Sequence, residues 1–166
     1  IILTTHNALA DEINAGRLEE LESPARVFEA EIHGEFPEQA CPTYPSLTLK
    51  VGAQVMFVRN DAGQDKRFYN GKIGIIDEIE EDTVFVKCDG EEELIDVNPV
   101  EWENKKYRID PGTHDLREEV TGTFTQYPLK PAWAITIHKS QGLTFEKAVI
   151  DVRTAFTHGQ VYVALS

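Results

Sequence analysis

The sequence predicts an α/β domain interrupted by a small β-barrel insert, and three observations carry that prediction. The chain opens as strand then helix, "IILTT" followed by "HNALADEINAGRLEELES", the alternation of a layered α/β domain. After Tyr127 the α/β character returns with the apolar runs "AWAITI" and "KAVIDV" around a polar turn. Between these ends, residues 47–127 hold about five short β-rich runs separated by turn dipeptides.

In chain order, Ile1–Thr5 reads as a short buried strand. Asn7 is placed to cap a helix, Asp11 and Glu12 sit near its start, and Leu9 and Ile13 share a face. Gly16 interrupts that period, so a bend or break is expected there. From Ser23 to Ser46 the pattern dissolves among Pro24, Gly34, Pro37, Pro42 and Pro45, which suggests a linking arm in which "VFEAEI" alternates like an edge strand. From Leu47 the chain is β in character. "LTLKVGAQVMFVRN", "KIGIIDEI", "TVFVKC", "ELIDV" and "VEWENKKYRI" are strands, and Asn70-Gly71 and Asp89-Gly90 are hairpin-turn dipeptides. Trp102 and Tyr107 are expected in the barrel core. Short strands hide their edges best by closing, and their shortness favours an SH3-like barrel over an OB-fold. Ala132–Ile137 and Lys147–Val152 then read as strands with room for one short helix between them. "HGQVYVALS" starts a final helix on a buried set of Val161, Ala164 and Leu165, with His158 on its surface. The expected division is residues 1–46, 47–127 and 128–166.

Composition bounds the function classes. With 166 residues, 41% hydrophobic and 27% charged, the chain suits one globular domain carrying a small insert. It has no apolar run of the roughly 18 residues that cross a membrane, and no export signal. It does not begin with Met, which leads us to expect a piece of a longer protein. Cys41 and Cys88 lack CxxC partners and the five histidines lack ligand spacing, so neither a zinc site nor a disulfide framework is expected, and two unpaired thiols suit a reducing cytoplasm. A net charge of −13 argues against wrapping DNA by bulk electrostatics. Between Asp77 and Glu103 there are 12 acidic residues and one basic, Lys87, which reads as a solvated face. Basic residues gather in three groups: Lys66, Arg67 and Lys72; Lys105, Lys106 and Arg108; Lys130 and Lys139. A polyanion has local patches to choose from.

The richest chemistry lies in "AWAITIHKSQGLTF", Ala132–Phe145. A strand runs into a turn where Ser140 offers a hydroxyl, Gly142 permits close backbone approach, Lys139 adds charge, and His138 supplies a flat donor for a sugar or base. Turn amides are anion donors as well. Spacing alone leaves a phosphate grip and a plain surface turn equally open. Trp133 reads as core and not as a stacking platform. Phe68 and Tyr69, beside Lys66, Arg67 and Lys72, form either a hairpin rim or a base-stacking patch.

"AWAITIHKSQGLTFEKAVIDV" followed by "FTHGQVYVALS" resembles the motif V to motif VI region of superfamily 1 DNA helicases of the RecD/Pif type. "LKVGAQVMFVRND" with "YNGKIGII" is similar to the segment entering that family's SH3-like insert, and "TTHNALADEIN" to the start of its second RecA-like domain. The resemblance implies a partial RecA-like (P-loop NTPase-like) domain interrupted by an SH3-like barrel. It implies that Thr136, His138, Lys139, Ser140 and Gln141 lie on the backbone of single-stranded DNA, joined by Thr5, His6 and Asn7. It implies that Gly142, Gln160 and Tyr162 serve the ATP site, and that an arginine finger comes after Ser166. ATP and Mg²⁺ would be cofactors of the full-length protein, and translocation would run 5′ to 3′.

The chain departs from the complete pattern. It has no G-x-x-x-x-G-K-[ST] and no acidic Mg²⁺ motif, so a first RecA-like domain of the same protein is expected as a partner. The fragment alone is expected to be monomeric and inactive. Leu143 and Thr144 stand where distant relatives carry a glutamate for the nucleotide sugar. The competing readings are a non-catalytic nucleic-acid-binding barrel and an interaction domain that uses its acidic face.

Overall fold

A computed structural model describes residues 1–109, 116–143, 145 and 147–151. The first strand, β1 (Ile2–Thr4), leads directly into α1 (Asn7–Glu19). The helix cap is His6, in extended conformation, one residue before the expected Asn7. Gly16 does not break α1. It is exposed, and an exposed helical glycine costs only about 1 kcal/mol relative to alanine, which the buried face of Ala10 and Asn14 offsets.

The segment expected as a linking arm is woven into β structure. Its alternating run splits at Ala30 into β2 (Arg26–Glu29) and β3 (Glu31–Gly34), with a 3-10 turn at Glu38–Ala40 after them. Then come β4 (Ser46–Leu49), β5 (Gln54–Phe57), β6 (Ile73–Ile79), β7 (Val84–Cys88) and β8 (Ile95–Val97). Next is a long hairpin, β9 (Val100–Ile109) and β10 (Leu116–Gln126). The chain returns through β11 (Leu129–Pro131), β12 (Ala134–Thr136), the short helix α2 (Ile137–Ser140) and β13 (Val149–Ile150).

Four sheets result. β12-β1-β13 is parallel, β11-β5-β6-β7-β8 is antiparallel, β3 joins the β9/β10 hairpin, and β2 pairs with β4. β11 extends the five-stranded sheet beyond residue 127. Two cores lie on opposite faces of β5. Val55 and Phe57 face Leu47, Leu49, Val84, Val86 and Leu129, whereas Met56 joins Leu3, Ala132, Ile135 and Ile137. The two-residue period of one strand thus ties the β sheet to the α/β layer.

Three expectations change. Asn70-Gly71 is not a two-residue hairpin. It occupies the centre of a turn, with Lys72 N–H donating to the Tyr69 carbonyl at 3.0 Å, that closes the long loop 58–72. Asp61 organises that loop by accepting from the Gly63 and Arg67 amides at 2.9 and 3.0 Å. Those bonds, the Gly63 amide foremost, hold its carboxyl below the usual range. Phe68 is buried and stacked on Phe57 at 4.3 Å, so only Tyr69 of the pair is exposed. Tyr107 is 63% exposed, because β9 pairs with β10 outside the five-stranded sheet. Trp102 lies half-buried over Phe124, with Arg59 across its ring at 5.4 Å. Trp133 packs against the larger core. Among the described residues no helix is long and apolar enough to cross a membrane.

Candidate nucleic-acid interface

Parallel pairing sets Thr4 of β1 opposite Thr136 of β12, so both strands end at the same sheet edge. The segment leaving β1 (Thr5, His6, Asn7) and the segment leaving β12 (His138 to Gly142) therefore emerge together. In an open parallel sheet the carboxyl ends of the strands are where ligands bind.

The turn after β12 is held from beneath. Ile137 is buried, and Thr136, 5% exposed, accepts from the Lys139 amide at 3.4 Å through its hydroxyl oxygen. The Ser140 hydroxyl donates to the Ile137 carbonyl at 2.7 Å, and the Leu143 amide donates to the Ser140 carbonyl at 3.0 Å. Gly142 has φ +75, the left-handed region that glycine enters without penalty. His138, Lys139 and Gln141 are left exposed.

Thr5 and Thr136, which the resemblance puts at the DNA backbone, have buried side chains. Thr5 is 7% exposed, and its hydroxyl lies 2.8 Å from His6 Nδ1. Thr4, fully buried, donates to the His6 carbonyl at 3.1 Å. These threonines fix the loop that carries His6 and Asn7. The outward-facing side chains are Asn7, His138, Lys139 and Gln141, with His6 and Ser140 between them and the interior.

Ion pairing sorts the three basic groups. In the first, Arg67 pairs with Asp96 and Asp61, and Lys72 pairs with Glu91 at 2.7 Å. The Lys72 hydrogen bond holds the Glu91 carboxyl low. In the second, Lys105 bridges Glu103 and Glu118 at 3.2 and 3.4 Å, Arg108 meets Glu119 at 3.1 Å, and Lys106 pairs with Glu35. Part of the acidic run thus serves as counter-charge to basic neighbours. Lys130 and Lys139 have no hydrogen bond or ion pair from their ammonium groups among the described residues.

One residue that positions this edge was not identified from sequence. Asn14, 7% exposed on α1, donates from its amide nitrogen to the Ala134 carbonyl and accepts from the Ala134 amide, both at 2.8 Å. It acts as a substitute neighbour for β12, an edge strand among the described residues. Its signal was a polar residue four positions after Ala10, on the face α1 buries. Lys130, grouped with Lys139 from the sequence, lines a cavity with it at the same edge, from its place on β11 between buried Leu129 and Pro131.

The described residues do not complete a nucleotide site. Gly142 faces open space, with nothing within 4 Å of where a Cβ would stand. No cluster of His, Cys, Asp or Glu among them could hold a metal. Gln160, Tyr162, Ser166, Thr144, His158 and the final helix lie outside the described residues.

No family model matches the chain. Whole-chain comparison is decisive. The ATP-dependent DNA helicase Pif1 of Campylobacter jejuni is 33% identical over 96% of this chain, and human PIF1 is 34% identical over 99%. Unliganded Pif1 from Bacteroides superposes with a TM-score of 0.89 at 41% identity over 99% of the chain. The chain is homologous to the Pif1 helicases. It spans 38% of the Campylobacter protein, 25% of the human one and 37% of the Bacteroides structure. Bacteroides Pif1 has also been solved bound to single-stranded DNA, where the TM-score is 0.81, and in complex with ADP-AlF4, where it is 0.87. The parallel sheet and its polar edge therefore belong to a Pif1-like RecA-type layer.

Proposed function

We propose that the chain is the second motor part of an ATP-dependent DNA helicase and that the β1/β12 edge carries single-stranded DNA. The observation that carries this is the convergence of two separated segments, His6–Asn7 and His138–Gln141, at one sheet edge in a Pif1 homologue. The Bacteroides relative solved with single-stranded DNA supports the choice of ligand. Lys139 is the phosphate contact. His138 and Gln141 flank it on the strand, Asn7 approaches from the other loop, and Thr5, Thr136 and Ser140 hold those loops in shape. ATP with Mg²⁺ would bind against a first RecA-like domain of the same protein. Gly142, Gln160, Tyr162 and an arginine after Ser166 would serve that cleft from this side. Residues 47–127 form the SH3-like insert, with β11 added to its sheet from beyond that bound, translocation runs 5′ to 3′, and the 166-residue chain by itself hydrolyses no ATP.

The test is the salt dependence of oligonucleotide binding by the intact protein. Lys139→Ala should weaken binding and flatten the log–log salt slope by about 0.7, one phosphate's worth on a single strand. Ser140→Ala should do less, because its hydroxyl is already engaged with Ile137. Wild-type affinity and slope in Lys139→Ala would remove the nucleic-acid assignment from this edge. If DNA affinity then tracked the exposed loop around Tyr69, the β insert alone would be the binding module.

A further inference from the structure

We propose that the cavity between α1, residues 38–45 and β11 is a phosphate subsite, with Lys130 and Lys139 as its two cationic ligands and a backbone phosphate of the bound strand as its occupant. The proposal rests on the reading of the β1/β12 edge given above and extends it by one contact.

The cavity measures about 220 Å³ and opens beside the proposed strand path, since Asn7, Thr136 and Lys139 all line it. At about 30 Å³ per water, it has room for a tetrahedral phosphate and part of its sugar. Lys130 stands on its wall, partly buried, one residue after a fully buried leucine. A buried charge without a partner is a poor use of a lysine unless something enters to meet it. Lys139, which is exposed, lines the same space and likewise has no ion pair from its ammonium group among the described residues. In the other two basic groups, Arg67, Lys72, Lys105, Lys106 and Arg108 already hold carboxylates.

The charged and titratable groups around Lys130 define its state. Asp11 comes from α1, Glu38, Cys41 and Tyr44 from the arm, and Lys139 from α2. Burial first, and then repulsion from Lys139, push the Lys130 ammonium down to about 8, and Asp11 offsets this only in part. Asp11 is itself shared, because it accepts from the Tyr44 hydroxyl at 2.8 Å. Burial and that bond push the Tyr44 hydroxyl up to about 12. Glu38 acts on Cys41, whose thiol is raised mainly by burial. A phosphate in the cavity would supply the missing negative charge to both lysines and return Lys130 to its charged form. Binding therefore takes up a proton. From the value of about 8, intrinsic affinity should fall about tenfold between pH 7 and pH 9 through this group alone.

Binding of a labelled oligo(dT) to the intact protein is measured at several salt concentrations and at pH 7, 8 and 9, for wild type, Lys130→Met, Lys130→Arg and Lys139→Ala. Melting curves confirm that each variant is folded. Methionine keeps the apolar stem in place, and arginine keeps the charge without titrating in this range. Wild type should weaken about tenfold across the pH range, Lys130→Arg should stay tight and flat, and Lys130→Met should lose about 0.7 of salt slope together with the pH dependence. Wild-type affinity, slope and pH dependence in Lys130→Met would overturn the subsite while leaving the Lys139 contact standing. Loss of effect in Lys139→Ala would instead remove the underlying DNA reading. Inorganic phosphate is titrated in parallel. If it raises the melting temperature of wild type over Lys130→Met while oligonucleotide binding ignores Lys130, the cavity belongs to the free anion and the proposal is overturned.

Discussion

Replacing Asn14 by alanine should loosen the whole β1/β12 edge. The side chain of Asn14 makes both hydrogen bonds that a neighbouring strand would make to Ala134, each at 2.8 Å, and both ends of the interaction are buried. Alanine removes the pair and leaves a buried N–H and a buried carbonyl without partners. Each such orphan costs about 1–3 kcal/mol, so the substitution should destabilise the surrounding layer by about 2–6 kcal/mol, less whatever water entry recovers. Asn14→Asp separates the two halves of the interaction. Its carboxylate can still accept from the Ala134 amide but faces the Ala134 carbonyl with another lone pair. The ionised form is disfavoured, so this variant should regain stability relative to wild type as the pH falls and the carboxyl protonates. Urea denaturation of the intact protein reads the magnitude, and hydrogen exchange at the Ala134 amide localises it. A loss below about 1 kcal/mol with unchanged exchange protection would refute the clamp.

Gly71→Ala should cost about 1–3 kcal/mol, because Gly71 has φ +99 and an added Cβ would stand 2.7 Å from Leu143 Cδ2. Thermal denaturation checks this, and oligonucleotide affinity should fall with it, since Leu143 closes the turn that carries Lys139. Lys130→Met should stabilise the DNA-free protein at pH 7. Lowering an ammonium from 10.5 to about 8 corresponds to a penalty of about 3 kcal/mol at 1.36 kcal/mol per tenfold. Proton counting gives the sign. Between about pH 8 and 10.5 the unfolded chain binds more protons at Lys130 than the folded one, so wild-type stability should rise with pH through that window. The advantage of the methionine variant should be full below about pH 8 and disappear by about 10.5, and urea melts at pH 7 and 9.5 separate the two.

Local pattern made much of this architecture legible. β1 and the start of α1 are readable from a short apolar run and a polar, capped onset. The strands from β4 to β8 are readable from β-branched runs between turns. The polar end of β12 was visible in His138 to Gly142 standing directly after an apolar strand. The features that escaped were set by distant partners. Phe68 looked like a rim residue because Lys66 and Arg67 precede it, but Asp61 folds the loop back so that its ring stacks on Phe57. Tyr107 looked like a core anchor because its run alternates, yet β9 pairs away from the larger core. Asn14 carried only the faint signal of polarity in apolar surroundings, and its partner, Ala134, lies far off in the sequence. Thr5 and Thr136, which the resemblance puts at the DNA backbone, have buried side chains whose hydroxyls take part in local hydrogen bonds at the strand ends.

The most direct measurement is the distance from Lys139 Nζ to the nearest backbone phosphate oxygen in a structure of the intact protein bound to single-stranded DNA. A contact of about 3 Å, the range of a charge-assisted hydrogen bond, is the predicted result, with His138 and Gln141 along the same stretch of backbone. A strand that tracked over the Tyr69 loop and left Lys139 in solvent would contradict the placement of DNA on the β1/β12 edge.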